Sequence, residues 1–168
     1  VANYIKSMKL EQLAIIETDV IDPLAVFDGL CQGLYSFDGF SNKEEDNSLL
    51  PSSLCIEGSL CDKNSVLHRK ALVESTLITR FIADAPPNWL NSEMFAKIAQ
   101  DLAQDKDNSM TCKVMGAKEL SSLGMGAFLS VAKGTEIDPK LIVLEIIGKD
   151  TSSWGALIGK GLTFDSGG

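Results

Sequence analysis

The sequence predicts an α/β fold with helices lying on the faces of a sheet. Three observations carry this reading. The run Leu141 to Ile147 (LIVLEII) is branched and almost continuously apolar, as expected of a strand covered on both faces. Two stretches, Ser65 to Ile82 and Asn91 to Leu102, repeat their apolar residues at helical spacing. The second half then reads strand, helix, strand, strand, with no internal repeats, an order that suits a sheet flanked by helices.

Within Tyr4 to Thr18, which has no clean period, Leu13 to Ile16 is the first candidate strand. Asp22 before Pro23 marks a helix start, because proline at the first helical position gives up an amide that has no partner there. Phe27, Leu30, Cys31 and Leu34 form one apolar face of that helix. Ser41 to Ser53 (SNKEEDNSLLPSS) is polar and reads as an exposed loop, its Glu44-Glu45-Asp46 run solvated rather than cation-binding. Leu54 to Ile56 is a short strand. The strongest helix follows, with Val66, Val73, Leu77 and Phe81 on one face, widened by Ile78 and Ile82. Pro86 and Pro87 end it, since proline disfavours α geometry in the residue before it. We place a domain boundary there, dividing the chain into 1–84 and 85–168.

Asn91 or Ser92 caps the next helix, which turns Phe95, Ile98, Ala99 and Leu102 to one side. Met110 to Met115 alternates and reads as a strand. Lys118 to Leu123 is helical, Gly124-Met125-Gly126 breaks it, and a short apolar segment, Ala127 to Ala132, follows. After the strand Leu141 to Ile147 and a loop, Gly148 to Ser153, comes a second buried strand, Ala156 to Ile158. Met110, Met115 and Met125 read as packing residues, and Trp89 as an anchor at the junction.

Composition narrows the function. Of 168 residues, 45% are hydrophobic and 23% charged, which is ordinary for a globular chain. Lys and Arg number 15 against 23 Asp and Glu, a net charge of −8 that argues against binding a phosphate backbone. No apolar run reaches the roughly 18 residues of a membrane span, and VANYIKSMKL lacks the features of a secretory signal. Cys31, Cys55, Cys61 and Cys112 contain no C-x-x-C pair and have only His68 beside them, so they read as reduced thiols of a cytosolic protein. The missing initiator Met and the halt at Gly168, inside a glycine-rich motif, read as a piece of something longer.

That motif, GALIGKGLTFDSGG, places Lys160 at the end of the second buried strand and Asp165 five residues on, among glycines. Ligands collect beyond the carboxyl ends of strands in open α/β sheets. A phosphate-binding loop fails on spacing: Gly155 and Gly159 are too close, and Gly161 follows Lys160 where Ser or Thr is required. DSGG evokes the nucleophile motif of trypsin-like proteases, but Phe164 stands where that motif has glycine, and His68 sits beside Arg69 and Lys70 on a helix surface. A structural reading has the lysine snorkelling at a strand end and the aspartate capping a turn. A metal reading uses Asp165 as an oxygen ligand for Zn²⁺ or Mn²⁺. Lysine is a rare ligand because it must lose a proton, which desolvation and a neighbouring dication both favour.

GKGLTFDSGG resembles the metal-binding motif of the leucyl aminopeptidases, the cytosol aminopeptidase family. Upstream, GMGAFLSVAKGT followed by PKLIVLEI, then ITRFIADAPPNWLNSEMFA and GLYSFDGFSNKEED, resemble that family's segments in the same order. The resemblance implies a three-layer helix–sheet–helix arrangement. Residues 1–84 would be the end of a smaller amino-terminal α/β domain with its connecting helix, and 85–168 the first part of a catalytic α/β domain. It implies a cytoplasmic, hexameric enzyme that removes amino-terminal residues, often leucine, from peptides. Two bridged divalent ions, Zn or Mn, would polarise the scissile carbonyl and generate a hydroxide nucleophile. Lys160 and Asp165 match two of the metal ligands and would face the substrate, while Gly161, Gly167 and Gly168 would shape the loop. The family's catalytic lysine, its remaining acidic ligands and an NTDAEGR-type segment would all follow Gly168. No catalytic residue is therefore expected within these 168 residues, and the chain alone is expected to be inactive. The alternative is a non-catalytic assembly or regulatory module derived from such an enzyme, with nucleic acid disfavoured by the acidity.

Overall fold

The computed structural model describes residues 5, 12–37, 53–59, 61–104, 109–148 and 152–164. The chain divides into two compact units, Val1–Ala85 and Pro86–Gly168. Both mix helix and strand, so the fold class is α/β.

In the first unit, strand β1 (Gln12–Ile16) leads to helix α1 (Pro23–Leu34) and on to strand β2 (Ser53–Glu57). The two strands pair in parallel, with Leu13 opposite Leu54 and Ile15 opposite Ile56, the pairing a helical crossover permits. Asp22 caps α1 by accepting the Leu24 amide at 2.9 Å, with Pro23 in the first turn. Ile5, Ile15 and Leu30 form a small core, with Phe27, Leu34 and Leu54 packed against it. Helix α2 (Lys63–Asp84) starts at Asp62, whose carboxylate accepts the Asn64 and Ser65 amides at 2.8 and 3.2 Å. It is longer at both ends than its apolar period, because polar cap and first-turn residues carry no hydrophobic signal. Val73 is its buried residue, and Ala85, extended ahead of Pro86, ends it. The acidic run at 44–46 lies outside the described residues.

In the second unit, Asn91 caps helix α3 (Ser92–Ala103) by accepting the Glu93 and Met94 amides. The helix lies on strands β3 (Met110–Met115) and β4 (Leu141–Ile146), and its small buried residues Ala96 and Ala99 let it approach closely. The strands pair antiparallel, Met110 opposite Ile146 and Met115 opposite Leu141. Between them come helices α4 (Ala117–Ser122) and α5 (Gly126–Val131). Gly124, at φ +72°, closes α4: its amide bonds Ser121 O and the Met125 amide bonds Leu120 O, both at 3.0 Å. That left-handed residue is where glycine is needed.

Two expectations fail in this unit. Strand β4 is not covered on both faces, for Ile146 is 64% exposed and Leu144 and Ile147 are exposed too. Ala156 to Ile158 is not a strand. It has no ladder partner among the described residues, and Leu157 and Ile158 are open to solvent. Branched apolar composition makes a segment suited to burial, but only neighbouring elements can bury it. All four cysteines are free thiols, and burial, reinforced by Asp28, raises the Cys31 pKa, as suits a packing residue.

Candidate functional site

Residues 152–164 run without regular secondary structure, and Lys160 lies in this segment, exposed. It therefore does not sit at the end of a buried strand. The Lys160 amine has no hydrogen bond or ion pair among the described residues, a state it shares with Lys63, Lys118 and Lys133. Asp165 lies outside the described residues, as do Gly167 and Gly168. Among the described residues, no three His, Cys, Asp or Glu side chains converge as a metal cluster.

The segment touches the rest of its unit at Gly161. A β-carbon there would lie 3.2 Å from Cε1 of Phe95 on α3, whereas at Gly155 and Gly159 it would meet nothing within 4 Å. Residues 161–164 also form one wall of a cavity of about 480 Å³. Phe128, Val131 and Ile137 supply apolar wall, and Asn91 and Lys140 are polar groups in its lining.

Two polar residues of this lining, Ser92 and Lys140, are held by Asp138. Asp138 accepts the Lys140 ammonium at 2.7 Å and the Ala117 amide at 3.1 Å, and its carbonyl accepts the Ser92 hydroxyl at 2.7 Å. These bonds join the starts of α3 and α4 to the strand entering β4. The Lys140 hydrogen bond, with help from the Ala117 amide, holds the Asp138 carboxyl below its ordinary pKa. Gly116 is part of the same packing, since a β-carbon there would come within 2.6 Å of Asp138 Oδ2.

Comparison with known proteins decides the family. The cytosol aminopeptidase family, catalytic domain, matches residues 77–168, more than half of the chain. The chain belongs to the cytosol aminopeptidase family. A probable cytosol aminopeptidase of Sulfurihydrogenibium sp. is 34% identical across 100% of this chain and 36% of its own length. One from Azotobacter vinelandii is 36% identical over 83% of this chain and 29% of its own length. The chain thus spans about a third of the length of these relatives. In three dimensions, a mutant of tomato leucine aminopeptidase superposes with a TM-score of 0.85 and 26% identity, over 98% of this chain and 35% of that one. The bottromycin maturation enzyme BotP, solved in complex with Mn, shares the fold at a TM-score of 0.68 and 19% identity.

For this member of the cytosol aminopeptidase family, sequence reasoning singled out Lys160 and Asp165 and did not single out Phe95 and Asp138, which support the unit. Phe95 was legible only as one apolar residue of a helix face. Asp138 left a faint signal, an acid beside Pro139 and Lys140 just before a strand, but its contact with Ala117 is 21 residues away in the chain. His68 is exposed on α2, the surface position expected of it.

Proposed function

We propose that this chain is part of a metal-dependent aminopeptidase that releases amino-terminal residues, with a leucine-type preference, from peptides. The observation that carries the reading is the family match running through 77–168, which includes GKGLTFDSGG. In this reading Lys160 and Asp165 hold divalent ions, two per complete site, of Zn or Mn. BotP's complex with Mn lends support to that ion class. When bound, such ions supply Lewis acidity toward the scissile carbonyl and the attacking water. Lys160 contributes an amine that no carboxylate of the described residues holds, and Asp165 contributes an oxygen donor beside the substrate. The glycines let the backbone of 159–161 come close to what these side chains hold.

Two ligands do not hold two ions in working geometry, so the 168 residues by themselves do not turn over substrate in this proposal. The complete protein is proposed to be a cytoplasmic homohexamer acting on peptides, without membrane or nucleic-acid partners. No helix of the described residues is long and apolar enough to cross a membrane. The test continues this chain with the remaining length of the Sulfurihydrogenibium relative and assays leucine release from a leucyl peptide. Chelation should abolish the release and added Mn²⁺ or Zn²⁺ should restore it. Full activity in chelator would rule the reading out.

A second reading, a non-catalytic assembly module, draws on the exposed apolar residues Ile146, Ile147, Trp154, Leu157, Ile158 and Phe164. Sedimentation of the 168-residue chain separates the two: a discrete inactive oligomer favours assembly, and a monomer or a polydisperse aggregate does not.

A further inference from the structure

We propose that Phe95 is a positioning residue for Lys160, its ring forming the seat on which the lysine-bearing segment rests at Gly161. The inference goes beyond the aminopeptidase reading and rests on it only for the use to which Lys160 is put. Phe95 is well placed to act as a fixed point. It stands in the first turn of α3, where its amide bonds Asn91 O at 2.9 Å, and the buried Ala96 beside it holds the helix to its unit. Gly161 follows Lys160 directly, so whatever fixes the Gly161 backbone limits where the lysine side chain starts.

The three described glycines of this segment are not equivalent. Gly155 and Gly159 face open space, and a methyl group could be added to either without contact. At Gly161 the same methyl would lie 3.2 Å from Cε1 and 3.7 Å from Cδ1 of Phe95. The backbone at Gly161 is not in the left-handed region, so an L side chain is not refused by φ. What crowds it is the Phe95 ring. A methyl at 161 is a few tenths of an ångström too close to the ring, and in this proposal the segment gives rather than Phe95, so that Lys160 moves with it. The requirement for glycine is thus steric and local to one partner, which makes it reversible: trimming the ring should make room for the methyl.

Trypsin cleaves after lysine, so the rate of cutting at Lys160–Gly161 in the native 168-residue chain reads how firmly the segment is seated. Each rate is divided by that of a free peptide spanning 155–166 with the same substitution, which removes the effect of residue 161 on the protease itself. Cutting at Lys113, inside β3, reports any general loosening of the unit. Gly161→Ala should raise the normalised rate at Lys160 about three- to tenfold while leaving Lys113 unchanged, because proteolysis follows local opening when reclosure is fast. Gly159→Ala should leave both rates as they are. Phe95→Leu should also speed cutting at Lys160. The double variant Gly161→Ala/Phe95→Leu should be cut more slowly than Gly161→Ala alone, a rescue that general destabilisation cannot give.

Equal rates for Gly159→Ala and Gly161→Ala would overturn the proposal, and so would a double variant at least as fast as Gly161→Ala. Should Phe95→Leu loosen Lys113 as well, the comparison of the two glycine variants still decides, since neither alters α3. The assay uses no metal and no peptide substrate of the enzyme. A continued protein that never hydrolyses leucyl peptides would therefore remove the aminopeptidase reading without touching these rates.

Discussion

In Val1–Ala85 several long-range side-chain contacts repeat across one pair of helices, whereas in Pro86–Gly168 the two longest-range ones, from Ala117 and Ser92, meet at a single residue, Asp138. Arg69 on α2 pairs with Asp28 on α1 at 2.8 Å, and Arg80 donates to Gln32 O at 2.6 Å while stacking 4.2 Å over Tyr35. The Tyr35 hydroxyl in turn donates to Asp84 at 3.0 Å. These contacts repeat one task, holding α1 against α2, so the loss of one leaves the others. In the second unit the Lys113–Glu119 pair joins β3 to α4, and Asp138 makes a different set of links. Its contacts with Lys140, Ala117 and Ser92 tie three parts of the second unit together. In the unit that carries Lys160, one substitution at Asp138 removes two side-chain contacts at once.

The tryptophans allow the units to be watched separately. Trp89 and Trp154 both lie in the second unit, so indole emission reports it, while the 22-residue α2 weights the helical circular dichroism toward the first. The largest effect is expected from Leu120→Ala. Leu120 is fully buried, and its truncation should cost about 2–4 kcal/mol of second-unit stability, moving the emission transition to lower urea. If the dichroism transition moved equally, the units would not be separable.

Asp138→Asn comes next: it weakens the carboxylate's contacts with Lys140 and Ala117 and leaves the Ser92 bond, which is to the main-chain carbonyl. It should shift the emission transition more than any one substitution among the α1–α2 contacts shifts the dichroism. It also carries a pH signature. The folded Asp138 pKa is depressed, chiefly by the Lys140 hydrogen bond, so its stabilisation is present above the ordinary aspartate pKa and lost as pH falls through the folded value. The Asn variant should lack that acid-dependent component in urea titrations followed by emission. Asp62 is depressed in the same direction, first by the Ser65 hydroxyl, so the first unit keeps its own acid loss in this variant.

Gly124→Ala should cost about 1 kcal/mol, because alanine is strained at the positive φ that closes α4. The smallest effect is expected for Arg69→Ala. Its ion pair is partly exposed and backed by the Arg80 and Tyr35 contacts, so a loss of about 0.5–1 kcal/mol in the dichroism transition is expected. A larger shift for Arg69→Ala than for Asp138→Asn would reverse the comparison.

Much of the fold was legible because the signals were local. The caps at Asp22 and Asn91, the break at Gly124 and the alternation of Met110 to Met115 each depend on a few adjacent residues, and each appears where expected. Burial was less legible, because it belongs to pairs of elements. LIVLEII forms β4 yet leaves Leu144 and Ile146 exposed, and the run through Ile158 pairs with nothing described. The site divides in the same way. Lys160 and Asp165 stand out through a motif, while Phe95 and Asp138 gain their importance from contacts that no local pattern announces.

The central proposal is that the exposed Lys160 is a metal-holding amine. The direct measurement is Mn²⁺ binding, followed by electron paramagnetic resonance of the free ion, to this chain continued with the remaining length of its Sulfurihydrogenibium relative. Lys160→Met would be compared with Lys133→Met, an exposed lysine of the same unit. The account predicts that the unsubstituted protein and Lys133→Met take up two ions each, and that Lys160→Met leaves at least one in solution. Equal uptake and affinity in all three proteins would contradict it.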